Sequence, residues 1–248
     1  MQRRNPHSAA RELLAALAAL GLLFFAPLAL AGTAGTVTHL SGTLAAKRSD
    51  GSTRLLSINS EVQEGDELTT QHDTYARIRF VDDGEVVMRP DTGLKVSSYA
   101  YNAEKPDSGN VILGLLRGGL RAITGLIGKR NREAFKLHTT TATIGIRGTH
   151  FGALLCADNC GGIPTVSGEP PENGLHVDVA SGAVIVANSA GQQVFSAGQF
   201  GFVKDNFTLP VVRPPENGIR VTMPQAISQN KAGGTGIGSD NQTRCAVQ

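Results

Sequence analysis

Beyond residue 35 the chain is written in short runs of alternating apolar and polar residues, cut by turn-forming dipeptides. Ala76, Ile78 and Phe80 alternate with Arg77 and Arg79, the period-two signature of a strand with one buried face. Asp83-Gly84 then supplies a tight turn and Val86-Val87-Met88 returns. Asp50-Gly51 separates TLAAKRS from STRLLSI in the same way. Leu94, Val96 and Ser98 alternate with Lys95, Ser97 and Tyr99, and Val177 and Val179 lead through Ser181-Gly182 to Val184 and Val186. Short strands at this spacing predict an all-β sandwich or barrel, not alternating β-α units. GNVILGLLRGGL reads as a strand with a glycine bend. At most one short helix is expected, over Arg121 to Lys129, where Gly125 and Gly128 weaken it.

The two ends depart from this pattern. Arg3, Arg4 and Arg11 precede an apolar run from Leu13 to Leu30 that closes on Ala29-Leu30-Ala31, before Gly32. That is the layout of a secretory signal peptide, so residues 1–31 are expected to be a signal helix that is cleaved, leaving no stable membrane span. A retained leader would serve as an anchor instead. Gly161 to Gly174, rich in Gly and Pro, reads as a loop between a β block at 32–160 and closing strands at 175–212. Residues 213–248 have little periodicity and are expected to be a mostly disordered tail. A small repeat, Pro170-Pro-Glu-Asn-Gly-Leu175 and Pro214-Pro-Glu-Asn-Gly-Ile219, reads as a turn launching a strand each time, which places a last strand, IRVTM, inside the tail.

Charge changes the picture little. Without the leader's three arginines and Glu12, the totals of 23 basic and 21 acidic residues become twenty of each, so a nucleic-acid partner has no electrostatic support. The distribution is uneven, however. A basic block runs from Arg117 to Arg147, and Arg117, Arg121, Arg130 and Arg132 are its candidate contact patch for an anionic partner. In an oxidising compartment Cys156 and Cys160 are expected to pair as a disulfide closing a small loop. Cys245 stands in the polar tail, as a free thiol or an intermolecular link. The histidines lack ligand spacing, so neither a metal nor another cofactor is expected.

TATIGIRGTHFG, Thr141 to Gly152, resembles a phosphate loop at first glance. It has no Lys and opens no helix, so the P-loop reading fails. As a strand, Ala142, Ile144 and Ile146 face inward, while Phe135 and Leu137 upstream have the opposite parity. A bulge or bend at Thr139–Thr141 would reconcile the two. Gly145 and Gly148 then permit close backbone approach or a kink, and Arg147 could pair with a carboxylate. Asp91-Thr92-Gly93 is the triplet of an aspartic protease, but such an enzyme needs a second copy, which only a homodimer would supply. No catalytic constellation emerges, and an enzyme is not expected.

An ordered series of motifs carries a resemblance. It runs through Gly35-Thr-Val, Ser41-Gly-Thr-Leu44, Glu64-Gly-Asp-Glu-Leu68, Ala76 to Phe80, Arg117-Gly-Gly-Leu120 and Phe135 to Thr139. Ile144-Gly-Ile-Arg-Gly-Thr-His-Phe151 is its most specific piece, and Gly182 to Val186 with Ser196 to Gln199 forms a later echo. Over most of Gly35 to Val203 the chain resembles the FecR domain, named for a periplasmic regulator of ferric-citrate uptake. The resemblance implies a β-sandwich, jelly-roll-like, that is non-enzymatic and sits in the envelope of a Gram-negative bacterium. Gly145, Arg147, Gly148 and Thr149 would be its motif residues, defining the fold. The expected role is an exported binding or signalling module, periplasmic or extracellular, with a protein or envelope partner. The alternative is a membrane-anchored sensor regulating a sigma factor or iron uptake, although only about a dozen residues precede Leu13, where the regulator carries an anti-sigma segment.

Overall fold

The computed structural model describes residues 32–158, 160, 163, 165 and 168–228. The expected signal helix, much of the 161–174 loop, Cys245 and the tail beyond 228 lie outside the described residues. Among the described residues seventeen strands follow one another with almost no helix between them. They are β1 (Thr33–Leu40), β2 (Leu44–Lys47), β3 (Thr53–Leu56), β4 (Glu61–Gln63), β5 (Glu67–Thr70) and β6 (Ala76–Phe80). Next come β7 (Glu85–Met88), β8 (Gly93–Ala100), β9 (Asn110–Ile123), β10 (Phe135–His138), β11 (Thr143–Ile146) and β12 (His150–Cys156). The last are β13 (Gly174–Ser181), β14 (Ala183–Asn188), β15 (Gly191–Ser196), β16 (Phe200–Val203) and β17 (Val211–Arg213).

Two sheets face each other and share β9. The first runs β4-β1-β6-β7-β9-β12-β13-β16-β17. The second runs β3-β2-β5-β8-β9-β10-β11-β14-β15. Pairing is antiparallel throughout, except between β9 and β10. The alternation read along β6 has its predicted effect: Ala76, Ile78 and Phe80 are buried between the sheets, while Arg77 and Arg79 point away. Phe80 of the first sheet stacks on Tyr99 of the second with ring centroids 4.5 Å apart, and Phe135 meets Phe151 edge-on at 6.4 Å. Such cross-sheet pairs join the sheets into a sandwich with one continuous core.

The chain passes between sheets at glycines. β9 belongs to the second sheet up to Arg117 and to the first beyond it, turning at Gly118 (φ +73°). Gly148 (φ +66°) carries β11 of the second sheet into β12 of the first, and Gly182 (φ +75°) carries β13 back into β14. A Cβ on Gly182 would lie 2.2 Å from the Gly148 carbonyl oxygen, so these two corners are stacked directly on one another.

Three expectations are corrected. Arg121 to Ile123 are strand, not helix, because β9 is paired there with both β7 and β12; the helix shrinks to Leu126–Arg130. The parity change between Leu137 and Ile144 comes from a complete hairpin between β10 and β11, not a bulge. Thr139 closes it, its hydroxyl accepting from the Ala142 amide at 3.0 Å and donating to that residue's carbonyl at 2.9 Å. Residues 214–228, assigned above to a disordered tail, form an ordered strap across the first sheet's outer face. In it Ile219 and Val221 are buried and Arg220 and Thr222 exposed, but the last strand expected over IRVTM is not formed. No sheet pairing accompanies that alternation.

Candidate functional site

The family-motif residues gather at a corner. Thr149 is 4% exposed. Its hydroxyl donates to the Ala183 carbonyl at 2.6 Å and accepts from the Arg147 amide at 3.1 Å. Its own amide donates to the Thr124 hydroxyl at 2.9 Å, and that hydroxyl donates to the Thr149 carbonyl at 2.6 Å. Four segments from both sheets are therefore tied by two buried threonines, which satisfy the backbone groups that a corner would otherwise orphan. Gly145 lets Ile185 of β14 approach; a Cβ there would sit 2.9 Å from the Ile185 Cγ2. Arg147 is exposed and makes no ion pair among the described residues. A second threonine knot holds the Gly118 corner. The Thr92 hydroxyl donates to the Gly119 carbonyl at 2.9 Å and accepts from the Gly119 amide at 3.0 Å. Thr92 of the Asp-Thr-Gly triplet thus holds the fold, while Asp91 is exposed and bonded to His72 at 3.0 Å.

A different constellation gathers polar chemistry on the outer face of the first sheet. Register aligns Arg77 with Val87, Val87 with Arg121, Arg121 with Gly152, Gly152 with Asp178 and Asp178 with Phe200. These residues form one row across six strands. The strap runs along it. Gly218 lies flat on the Phe200 ring, and Val221 sits over Gly152, whose hypothetical Cβ would be 2.6 Å from the Val221 Cβ. Ile219 and Val221 join Leu154 and the Cys156–Cys160 disulfide in a small second core outside the sheet, which is why β12 is buried on both faces.

Charge is concentrated beneath the strap. Arg121 Nη1 donates to Asp178 Oδ2 at 2.9 Å and to the Val221 carbonyl at 2.8 Å; its Nε donates to His150 Nε2 at 3.1 Å. Asp178 Oδ1 accepts the Val221 amide at 3.0 Å. Burial first, and the Arg121 charge second, push the His150 imidazole down to about 4. Two more guanidinium groups reach strap carbonyls: Arg89 Nη1 to Thr222 at 2.5 Å and Arg77 Nη1 to Ile227 at 3.2 Å. Burial lowers the Arg89 pKa, the expected response of a cation losing water.

The family model described as FecR protein matches residues 66–185. This stretch is a FecR domain. The match lies inside the span that carried the sequence resemblance, and it contains Gly145, Arg147, Gly148 and Thr149 together with most of the polar row. No curated protein matches the chain at a significant level. Among solved structures the chain is similar to a candidate anti-sigma factor from Parabacteroides distasonis ATCC 8503, known in two crystal structures. Each has a TM-score of 0.44 and 13% identity over 59% of this chain and 58% of that one. The chain is also similar to a cell surface anchoring domain, with a TM-score of 0.25 and 26% identity over 25% of this chain and 82% of that one.

Within the FecR domain the four arginines foreseen as a contact patch are divided. Arg121 is committed to Asp178 beneath the strap. Arg130 and Arg132 are exposed together around the short helix, and Arg117 is exposed beside Gly93 near the Gly118 corner. Sequence reasoning missed Arg77, Arg89 and Asp178. One signal was available: Asp178 interrupts LHVDVA, and a carboxylate inside an apolar run requires a partner. Another buried carboxylate, Asp82, accepts from the Tyr99 phenol at 2.5 Å, the Gly84 amide at 3.0 Å and the Ile127 amide at 3.1 Å. It is spent on anchoring the short helix. Among the described residues no three His, Cys, Asp or Glu side chains converge as metal ligands.

Proposed function

We propose that this chain is an exported, non-enzymatic FecR-type module of a Gram-negative envelope, binding a protein or cell-surface component in a signalling role. One observation carries the reading. The FecR motif is consumed by backbone at sheet corners, whereas the polar row on the outer face is engaged through main-chain groups of an extended segment. A surface that takes hold of extended backbone suits recognition of polypeptide. The leader-like residues 1–31 support export.

The test is production of the full chain, tagged at its C-terminus, in a Gram-negative host. The expected product is released by osmotic shock, or found in the medium, with a mass that starts at Gly32. A full-length product in the membrane fraction would favour the anchored sensor, and a cytoplasmic product would defeat the export reading. Acid proteolysis of casein that disappears in Asp91→Ala protein would defeat the non-enzymatic reading.

A further inference from the structure

The strap satisfies the polar row incompletely in one respect: it offers neutral carbonyls to cations. Arg89 is the clearest case. Its guanidinium has been drawn partly out of water, it donates to the Thr222 carbonyl, and it makes no ion pair among the described residues. Cations in such a position bind a carboxylate more strongly than an amide oxygen, because a charge-assisted hydrogen bond is roughly twice as strong as a neutral one. The apolar part of the surface has matching periodicity. Ile219, Val221 and Met223 face the sheet at alternate positions, packing against Leu154 and the disulfide. Gly152 provides the depth that Val221 fills. The strap itself pairs with no strand. Side-chain hydrogen bonds with Arg77, Arg89, Arg121 and Asp178 and a few apolar side chains hold it.

We propose that the outer face of the first sheet is a peptide-binding groove occupied here by the chain's own residues 219–223, and that its second occupant is an extended acidic segment of a partner polypeptide. The partner places apolar side chains where Ile219 and Val221 lie and a carboxylate on Arg89. The strap is then a built-in competitor that keeps the groove closed until such a segment is present. This deepens the binding reading above and rests on it for the expectation of a polypeptide partner. Its test uses purified protein and a synthetic peptide, so it is independent of export and processing.

The probe is fluorescein-labelled NGIRVTEPQA, the strap segment 217–226 with Met223→Glu, beside NGIRVTQPQA, with Met223→Gln. In Ile219→Ala/Val221→Ala protein, whose strap has lost its apolar anchors, fluorescence anisotropy is expected to show the Glu peptide binding about tenfold tighter than in unaltered protein, because the internal competitor no longer holds the groove. Adding Arg89→Gln is expected to weaken the Glu peptide about tenfold and leave the Gln peptide unchanged. Equal binding of the two peptides, or no effect of Arg89→Gln, overturns the proposal. A second measurement needs no variant. Arg220 is exposed on the strap, 5.9 Å from the Phe200 ring. A version of the Glu peptide with Gln in place of its arginine, NGIQVTEPQA, which trypsin does not cut, should accelerate tryptic cleavage after Arg220 in unaltered protein, whereas cleavage that stays constant over the whole titration overturns the competition.

Discussion

At the scale of single residues, the corner glycines and threonines separate backbone conformation from packing. Gly148 and Gly182 both have positive φ, but a Cβ on Gly148 meets open space while one on Gly182 strikes the Gly148 carbonyl. Gly148→Ala is therefore expected to cost about 1–2 kcal/mol, and Gly148→Asn less. Gly182→Ala should cost about 3 kcal/mol or more, since a clash is added to the strain. Urea unfolding midpoints will order the three. Thr149→Val should lose about 1–3 kcal/mol by orphaning the Ala183 carbonyl and Arg147 amide, and Thr149→Ser should recover most of it. His150 adds a pH dependence. Its folded pKa, about 4, lies below the unfolded value near 6.5. Above pH 6.5 both states are neutral and the group contributes nothing. As pH falls toward 4, the unfolded chain takes up a proton that the fold refuses, so stability declines across that window. His176, lowered chiefly by burial, acts with the same sign. Because His150 is partly exposed, the loss is roughly 1–2 kcal/mol. Thermal melts of unaltered and His150→Gln protein at pH 7 and pH 4.5 should show a smaller acid loss in the variant.

At the scale of elements, the strap and the sheet beneath it depend on each other. Asp178 binds both Arg121 and the Val221 amide, so Asp178→Ala leaves a half-buried guanidinium and an unpaired strap amide. The expected cost is about 3 kcal/mol, with faster tryptic cleavage after Arg220. Replacing Cys156 and Cys160 together by Ala should remove about 2 kcal/mol, since the loop they close is short. That loss should also appear in the strap, which packs on the disulfide. β9 shows why elements were only partly legible. It reads as a strand with a glycine bend, but it continues through Arg121 to Ile123 because strands lie on both sides of it. Local helix-compatible residues cannot outweigh two ladders of hydrogen bonds.

At the scale of the whole molecule, both sheets are assembled from strands distant in sequence. β1 pairs with β6, β7 with β9, and β9 with β12. Closing such loops before their contacts form is entropically costly, so refolding from urea with the disulfide intact is expected to take roughly milliseconds to seconds. A relaxation in microseconds would contradict this topology. Two of the four edge strands, β15 and β17, carry the exposed Val194, Val211 and Val212, with Phe207 and Leu209 on the connection beside β17. The polar row lies on a broad face inside those edges, covered by the strap.

The sequence by itself determined the all-β class, the inward parity of β6, β11 and β14, the tight turns at Asp50-Gly51 and Asp83-Gly84, and the family motif. All of these are local: period-two alternation, turn chemistry and motif spacing are written within a few consecutive residues. In β8 an irregularity between Val96 and Ser98 turns Tyr99 inward, against the alternation read there. Only the tertiary structure decided that Arg77, Arg121, Gly152 and Asp178 stand in one row, that Gly148 and Gly182 stack, and that residues 214–228 lie across the first sheet. Alternation says which side of a strand faces the core, but not which strand becomes its neighbour or at what register. Those choices are made by packing between segments scores of residues apart, and the candidate groove exists only once they have been made.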